Sequence, residues 1–154
     1  MFDVASLFDL TDDLSITRMT FRKLAAIELE YRHLDSRNIQ LVLDDIYQTA
    51  LCVCMRGLQN PEEYKLLQDG ISHIGSFVLG NRYTLDDAII NAAKVAYISQ
   101  LIRNEKNEIH HFNYDTIEKI TDKILVDPMP TKLNKLKKTH PEAFFYLCEI
   151  QKIC

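Results

Sequence analysis

One uninterrupted stretch, residues 84–103, constrains the fold more than any other part of the chain. It reads TLDDAIINAAKVAYISQLIR and contains no Gly or Pro. Thr84 can cap a helix, and two aspartates follow in the first turn, where the helix dipole favours negative charge. From Ala88 onward most residues are apolar, with one narrow polar stripe formed by Asp87, Asn91 and Lys94. A helix that is apolar nearly all round belongs inside a bundle, so the pattern predicts a buried central helix.

The length and composition favour a single all-α domain. The 154 residues suit one core, and the apolar content of 47% is too high for a disordered chain. Four Gly and four Pro are few for a β-sandwich. We therefore expect one domain, residues 1–154, with six to eight helices around the central one. Residues 1–19 could form a short packed helix or a loosely packed, mobile arm, and the sequence leaves both open.

Apolar periodicity and capping residues place the other helices. They are expected at 20–34, from Ser36 to Met55, from Asn60 to Gly70 or on to Leu79, from Asn113 or Asp115 to Val126, at 132–138, and after Thr139. In the first of these, Leu24, Ile27, Leu29 and Tyr31 form the apolar side. In the helix that ends at Val126, the residues expected to face inward are Ile117, Ile120, Ile124 and Leu125.

The helix from Ser36 to Met55 has two apolar faces. One must meet the core. The second carries Tyr47, Leu51 and Met55, and it either packs against further helices or lines a surface groove. In the second case these three residues are candidates for binding a partner protein.

Charge and cysteine usage restrict the environment and the partners. A net charge of −4 does not favour nucleic acid as a partner. No apolar run approaches the roughly 18 residues of a membrane span, and the acidic N-terminus is a poor signal peptide. The four cysteines form no CxxC pair, which favours reduced thiols. We expect a cytoplasmic protein with no membrane partner.

Motifs for chemistry are sparse. No Gly-rich phosphate loop, zinc pattern or nucleophile motif is present, so we expect no cofactor and no metal. One spacing, from Arg103 to His110, resembles the Arg-x(4–6)-His motif of HEPN ribonucleases, which are small helical bundles. That resemblance implies that Arg103 would hold the scissile phosphate and His110 would transfer a proton without a metal. The alternative is that both residues are solvated helix ends.

A second resemblance covers residues 20–138. The segment 84–106 is similar to the central helix of the poxvirus intracellular Bcl-2-like immunomodulators. Segments 30–32 and 43–46 resemble the first two long helices of that family, and 115–136 resembles its C-terminal pair. The pattern departs from the family in having Ile102 where an aromatic residue is expected. The chain also has no Trp and lacks the Asn-Trp-Gly-Arg signature of cellular Bcl-2 proteins, which argues against binding of BH3 peptides.

The resemblance implies a Bcl-2-like fold and a non-enzymatic protein in an infected host cell. Such a protein would bind host signalling proteins, inhibit NF-κB or interferon signalling, and could form a homodimer. One alternative is an anti-apoptotic protein that binds BH3 peptides of apoptosis-related proteins. The other alternative is the metal-independent ribonuclease that uses Arg103 and His110.

Overall fold

The structure is a computed structural model that describes residues 1–75, 77–78 and 83–153. Within these ranges the chain is all-α, and its only β-type pairing is an isolated bridge between Asp13 and Glu108. The α-helices are α1 (Phe2–Phe8), α2 (Ser15–Tyr31), α3 (Ile39–Cys54), α4 (Pro61–Ile74), α5 (Leu85–Arg103), α6 (Ile117–Thr121), α7 (Leu136–Thr139) and α8 (Pro141–Ile153). Short 3₁₀ turns at Tyr114–Thr116 and Thr131–Lys135 precede α6 and α7. Of the helices in these ranges, none has the length and apolar character needed to cross a bilayer.

Helix α5 is the buried axis that the sequence predicts. Its first turn carries a capping box, in which the Thr84 hydroxyl accepts from the Asp87 amide and the Asp87 carboxylate accepts from the Thr84 amide. Every residue from Ala92 to Ile102 is buried. Helices α1, α3, α4 and α8 all contact α5. The predicted central helix is therefore confirmed, although this arrangement alone does not distinguish a Bcl-2-like bundle from other helical bundles.

Small residues let α3 and α8 approach α5 closely. The alanines at the contact have no solvent-exposed surface: Ala50, Ala92, Ala93, Ala96 and Ala143. Large aromatic rings fill the space beside them, and the rings of Tyr97 and Tyr146 stack with centroids 5.8 Å apart. The two buried hydroxyls accept hydrogen bonds from the amides of His110 and Phe112. These two hydrogen bonds attach the segment that follows α5 to buried side chains of α5 and α8.

The N-terminal segment packs against the bundle. Helix α1 buries Ala5 and Phe8, and the rings of Phe8 and Tyr146 are nearly perpendicular with their centroids 5.3 Å apart. Immediately after α1, Asp9 accepts two hydrogen bonds from Lys94 of α5, at 2.8 and 2.9 Å. Residues 2–8 therefore form the short packed helix, rather than the loosely packed arm that the sequence also left open.

In α2, the buried side is not the one that the sequence predicts. It begins at Ser15 rather than residue 20, and Leu24, Ile27 and Tyr31 are 60%, 62% and 82% exposed. Of the four residues expected to form the buried side, only Leu29 is buried. The inward side of α2 is instead formed by Leu14, Phe21, Ala25 and Leu29. Because α2 rests mainly on α3, it buries one side only.

The helix predicted from Asn113 or Asp115 to Val126 ends earlier than expected, although Ile120 and Leu125 are buried as predicted. The structure has only a 3₁₀ turn and the short α6, and Ile124 is 63% exposed rather than buried. The side chain of Asn134 explains the break, because it bonds both the amide and the carbonyl of Leu125, at 2.8 and 2.9 Å. These bonds replace the helical partners of that backbone.

Helix α4 begins as the sequence predicts and runs past Gly70. Asn60 caps it by accepting from the amide of Glu63. The helix ends at Ile74, and the expected alternative end at Leu79 lies outside the described residues. At the end of α3, Gly57 adopts a left-handed φ of 73°, and its amide bonds the carbonyl of Cys52. The predicted stop at this glycine is confirmed.

Candidate functional site

An apolar groove lies between α1, α2, α3 and α5. It encloses a cavity of about 370 Å³ that reaches the surface near the exposed residues Met1, Val4 and Asp45. Its lining residues are Met1, Val4, Thr17, Phe21, Leu43, Asp45, Ile46, Thr49, Val95, Ile98, Ser99 and Ile102. A cavity of this size, mostly apolar with a few polar groups at its edge, has the character of a binding site.

The floor of the groove comes from α5. Val95, Ile98 and Ile102 recur at intervals of three and four residues and form one ridge. Leu43 and Ile46 of α3 form one wall. The alanines of α5 lie at its contacts with other helices, whereas these larger side chains line the cavity. The same helix thus serves as core and as groove floor.

The mouth of the groove carries a free carboxylate. Asp45 is exposed, and its carboxylate has no hydrogen bond or ion pair within the described part of the chain. Its neighbour Asp44 accepts from Arg103, and Thr49 donates to Glu63 at 3.2 Å. Asp45 therefore remains available to a cationic group of a ligand.

Helix α1 closes one side of the groove and is held by a buried charge. Lys94 is 6% exposed and pairs with Asp9 at 2.8 Å and with Glu142 of α8 at 2.9 Å. Burial opposes the charged ammonium, but the hydrogen bonds and charges of the two carboxylates outweigh it and raise the pKa of Lys94. The ammonium is charged at neutral pH and links α1, α5 and α8.

The three residues predicted to bind a partner from α3 lie elsewhere. Leu51 is buried in the core at 3% exposure, and Tyr47 is half-buried with its hydroxyl 3.0 Å from the Met129 sulfur. Met55 packs beside Leu133 in a separate pocket. On this face of α3, Tyr47 thus contacts Met129, Leu51 lies in the core, and Met55 lines a pocket that is distinct from the groove. Partner binding through Tyr47, Leu51 and Met55 stays a prediction, and the structure offers Leu51 no surface for it.

Arg103 and His110, the two residues of the ribonuclease alternative, interact with different helices. Arg103 donates to Asp44 of α3. His110 lies 2.8 Å from the buried Glu149 of α8, through its Nδ1 atom. His110 lines a different cavity, together with Lys119, Lys123 and Lys152, and Arg103 is not part of that lining. The ribonuclease reading stays a prediction, tested by cleavage of RNA in EDTA with Arg103→Ala as the control.

Two buried thiols are protonated at neutral pH. Burial raises the pKa of Cys54 to about 12 and that of Cys148 to about 11. A thiol acts as a nucleophile or metal ligand through its thiolate, which such pKa values disfavour. Across the described ranges, no group of three His, Cys, Asp or Glu residues is arranged to hold a metal ion.

A second apolar surface is the outer face of α2. We define this outer face by Ile16, Met19, Leu24, Ile27 and Tyr31, all of which are at least 60% exposed. The sequence analysis missed both this face and the groove, because it assigned the apolar residues of α2 to the core. A signal was available, since α2 carries apolar residues on two sides and only one side can face α3.

Comparisons with models of known protein families, with curated proteins and with solved structures gave no match. Any function must therefore be argued from the groove and surfaces themselves.

Proposed function

We propose that this chain is a non-enzymatic binding module that takes an amphipathic helix of another protein into the groove between α1, α2, α3 and α5. The observation that carries the proposal is the apolar cavity with the unpaired Asp45 at its mouth. Apolar side chains of a partner helix, spaced three and four residues apart, fit a groove whose floor has the same spacing.

The charge at the mouth restricts the partner. A helix that places Lys or Arg beside Asp45 gains a favourable contact, while one with Asp or Glu there is repelled. The groove therefore favours a basic amphipathic helix. This preference is mainly one of specificity, since exposed ion pairs contribute only about 0.2–1 kcal/mol.

The resemblance to poxvirus Bcl-2-like immunomodulators supplies a partner class. We propose that the helix belongs to a host signalling protein and that its capture inhibits NF-κB or interferon signalling in the cytoplasm. The all-helical bundle with its buried α5 is compatible with this proposal. A reporter assay in transfected cells tests it, and an unchanged reporter response would count against the signalling role.

Charge reversal at the groove provides a sharper test. We expect Val4→Asp to abolish reporter inhibition, because it places a charge in the apolar wall. Asp45→Lys should weaken the inhibition, because it repels a basic helix. Glu118→Lys, an exposed change on α6, is the matched control and should retain inhibition. A photo-crosslinking residue at position 46 identifies the captured segment, whose synthetic peptide is then titrated by calorimetry. Equal affinity for the wild type and for Asp45→Lys would refute binding in this groove.

The anti-apoptotic alternative, in which the groove would bind BH3 peptides, can be tested separately. Titration with BH3 peptides separates it from the signalling proposal, because a death suppressor must bind them at micromolar concentration. Heat of binding that disappears in Val4→Asp would support the alternative. The absence of heat would remove it.

A further inference from the structure

A second pocket lies between the turn that ends α3 and the segment that leads into α7. We call it the α3–α7 pocket; its lining comes from residues within 54–58 and 132–139, and its volume is about 310 Å³. It shares no lining residue with the groove. The pocket has an apolar floor, a cationic rim and no carboxylate among its lining residues, and the proposed function makes no use of it.

One wall of the pocket is a 3₁₀ turn that separates charged from apolar side chains. Residues three apart lie above one another in such a turn. In the turn Thr131–Lys135, Lys132 and Lys135 therefore share one side. Leu133 and the following Leu136 share another side, and both leucines are buried. The two lysines thus stand at the rim while the leucines form the floor.

The opposite wall is the turn that ends α3. Arg56 has a left-handed φ of 51°, and its amide bonds the carbonyl of Val53. The amide of Gly57 bonds the carbonyl of Cys52. This pair of bonds is a Schellman motif, which ends a helix and redirects the chain. The motif places Arg56 and Leu58 at the pocket.

The cations of the rim are available to a ligand. Lys132 and Lys135 are exposed, and their ammonium groups have no hydrogen bond or ion pair within the described part of the chain. Arg56 contacts Asp86 at 3.3 Å, but both side chains are more than half exposed, so this pair contributes little. The segment 128–141 contains no Asp or Glu, which leaves the lysines of this wall without a nearby acid in sequence.

The floor of the pocket suits an aromatic ring. Cys54, Leu133 and Leu136 are buried there, and the Met55 thioether lines the same pocket. The Cys54 thiol donates to the Ile89 carbonyl, and burial raises its pKa to about 12, so it adds no charge. A thioether sulfur makes favourable contacts with aromatic rings. The volume is at the small end for ligand pockets and matches one ring better than a larger molecule.

We propose that the α3–α7 pocket binds an aromatic phosphate monoester, with the ring on the floor and the phosphate between Arg56, Lys132 and Lys135. A phosphate monoester carries a charge of about −1.5 to −2 at neutral pH and three strong acceptor oxygens, so it matches three cations better than a carboxylate does. The arginine fork can bond two oxygens, and the lysines act as point charges. A phosphotyrosine side chain and a small free aromatic phosphate share this chemistry.

Titration of the full chain with phenyl phosphate tests the proposal, followed by amide NMR and calorimetry. We expect a dissociation constant on the order of 0.1–1 mM, with amide shifts confined to residues 52–58 and 131–140. Benzoate has the ring but only one charge, and inorganic phosphate has the charge but no ring. Each should bind about tenfold more weakly than phenyl phosphate.

Lysine variants show whether the rim holds the phosphate. Lys132→Glu with Lys135→Glu should weaken binding of phenyl phosphate about tenfold, whereas Lys132→Arg with Lys135→Arg should retain it. Lys23→Glu with Lys119→Glu is the control, because it changes two exposed lysines outside the pocket and alters the net charge equally. Circular dichroism confirms that each variant is folded before it is compared.

Arg56→Gly tests the guanidinium separately from the backbone. Glycine adopts a φ of 51° without strain, so the turn at the end of α3 is kept. The affinity for phenyl phosphate should fall about fivefold. An unchanged affinity would contradict the role of Arg56.

Peptides distinguish the two sources of the ligand. A phosphotyrosine peptide that binds more tightly than phenyl phosphate, and that no longer binds once dephosphorylated, assigns the pocket to a partner protein. A peptide that binds more weakly than phenyl phosphate assigns the pocket to a small free phosphate.

The proposal is overturned if phenyl phosphate does not bind at millimolar concentration, or if benzoate binds equally well. It is also overturned if Lys132→Glu with Lys135→Glu keeps the wild-type affinity. Co-sedimentation with phosphatidylserine vesicles, lost in that variant and without binding of phenyl phosphate, would assign the rim to a membrane surface instead. None of these outcomes affects the groove, since its test depends on Asp45 and Val4.

Discussion

Helices α5 and α2 have similar lengths, and both carry apolar residues on more than one side. However, α5 is buried, whereas α2 leaves one apolar side in solvent. Helix α5 contacts four other helices and buries every residue from Ala92 to Ile102. Helix α2 rests mainly on α3 and leaves an apolar outer face in solvent. The number of neighbours, rather than apolar content alone, therefore decides whether a helix side becomes core.

The two helices also differ in the size of the side chains that they present to their surroundings. Helix α5 presents alanines at its closest contacts, which allows two helices to approach at once. Helix α2 presents large side chains outward, centred on Ile27, which suits contact with a separate molecule. Charges add to the contrast, because α5 has two aspartates in its first turn and an arginine in its last turn, whereas α2 has no acid in its first turn and no base in its last turn.

The largest expected effect compares equal truncations in the two helices. Ile89 of α5 has no exposed surface, and Ile89→Ala should lower the free energy of unfolding by about 2–5 kcal/mol through lost burial and a cavity. Ile27→Ala on α2 is the matched control and should change it by about 0.5 kcal/mol or less. Denaturant unfolding of dilute protein measures both. Similar losses in the two variants would break the distinction between core and outer face.

The next effect concerns the buried cation of α5. Lys94→Met should cost about 1–3 kcal/mol, because Asp9 and Glu142 lose a shared, charged hydrogen-bond donor. Lys23→Met on α2 removes an exposed lysine and should be nearly neutral in dilute solution. Limited proteolysis after α1 should accelerate in Lys94→Met alone, and an unchanged rate would show that Lys94 does not hold α1 in place.

The pKa of Lys94 adds a pH dependence to that comparison. Because the folded-state pKa is raised above 10.5, the contribution of Lys94 is fully present below pH 10.5. It is lost as the pH rises through the folded-state value. The difference in stability between the wild type and Lys94→Met should therefore be constant from neutral pH to about pH 10 and then shrink. A difference that shrinks below pH 9 would contradict the assignment.

A smaller effect tests the start of α5. Thr84→Ala removes one half of the capping box and should cost about 1 kcal/mol. Ser36→Ala is the control, since Ser36 is suggested as a cap by the sequence but lies two residues before Asn38, the residue that directly precedes α3. Thermal unfolding measures both variants, and equal shifts in Tm would contradict the role of the box.

The smallest effect tests the first turn of α2, which carries no acid. Ile16→Glu adds an acid to the first turn and should stabilise the monomer by about 0.3–1 kcal/mol. The measurement is made at a dilution where any dimer has dissociated. Destabilisation of the monomer would show that Ile16 contributes to folding rather than to association.

The sequence predicted those features that rest on local chemistry. Thr84 and Asn60 were assigned as caps because their side chains satisfy nearby amides, and the structure shows both bonds. The burial of α5 followed from its pattern alone. Features that depend on distant residues were missed. Nothing near Leu125 in the sequence reveals that Asn134 will take its backbone hydrogen bonds.

The groove was missed for a related reason. Its lining comes from four helices, and the sequence does not show which sides of them meet. The apolar pattern of α3 suggested a groove beside Tyr47, Leu51 and Met55, but Leu51 is buried in the core. The groove opens instead beside Ile46, less than two turns earlier on α3.

Methyl NMR with a soluble gadolinium chelate tests the central claim most directly, since it reports solvent contact of individual side chains. In dilute protein we expect strong relaxation of the Ile16, Leu24 and Ile27 methyls and almost none for Ile89 and Leu101. Comparable relaxation of the α2 and α5 methyls in the dilute sample would contradict the account.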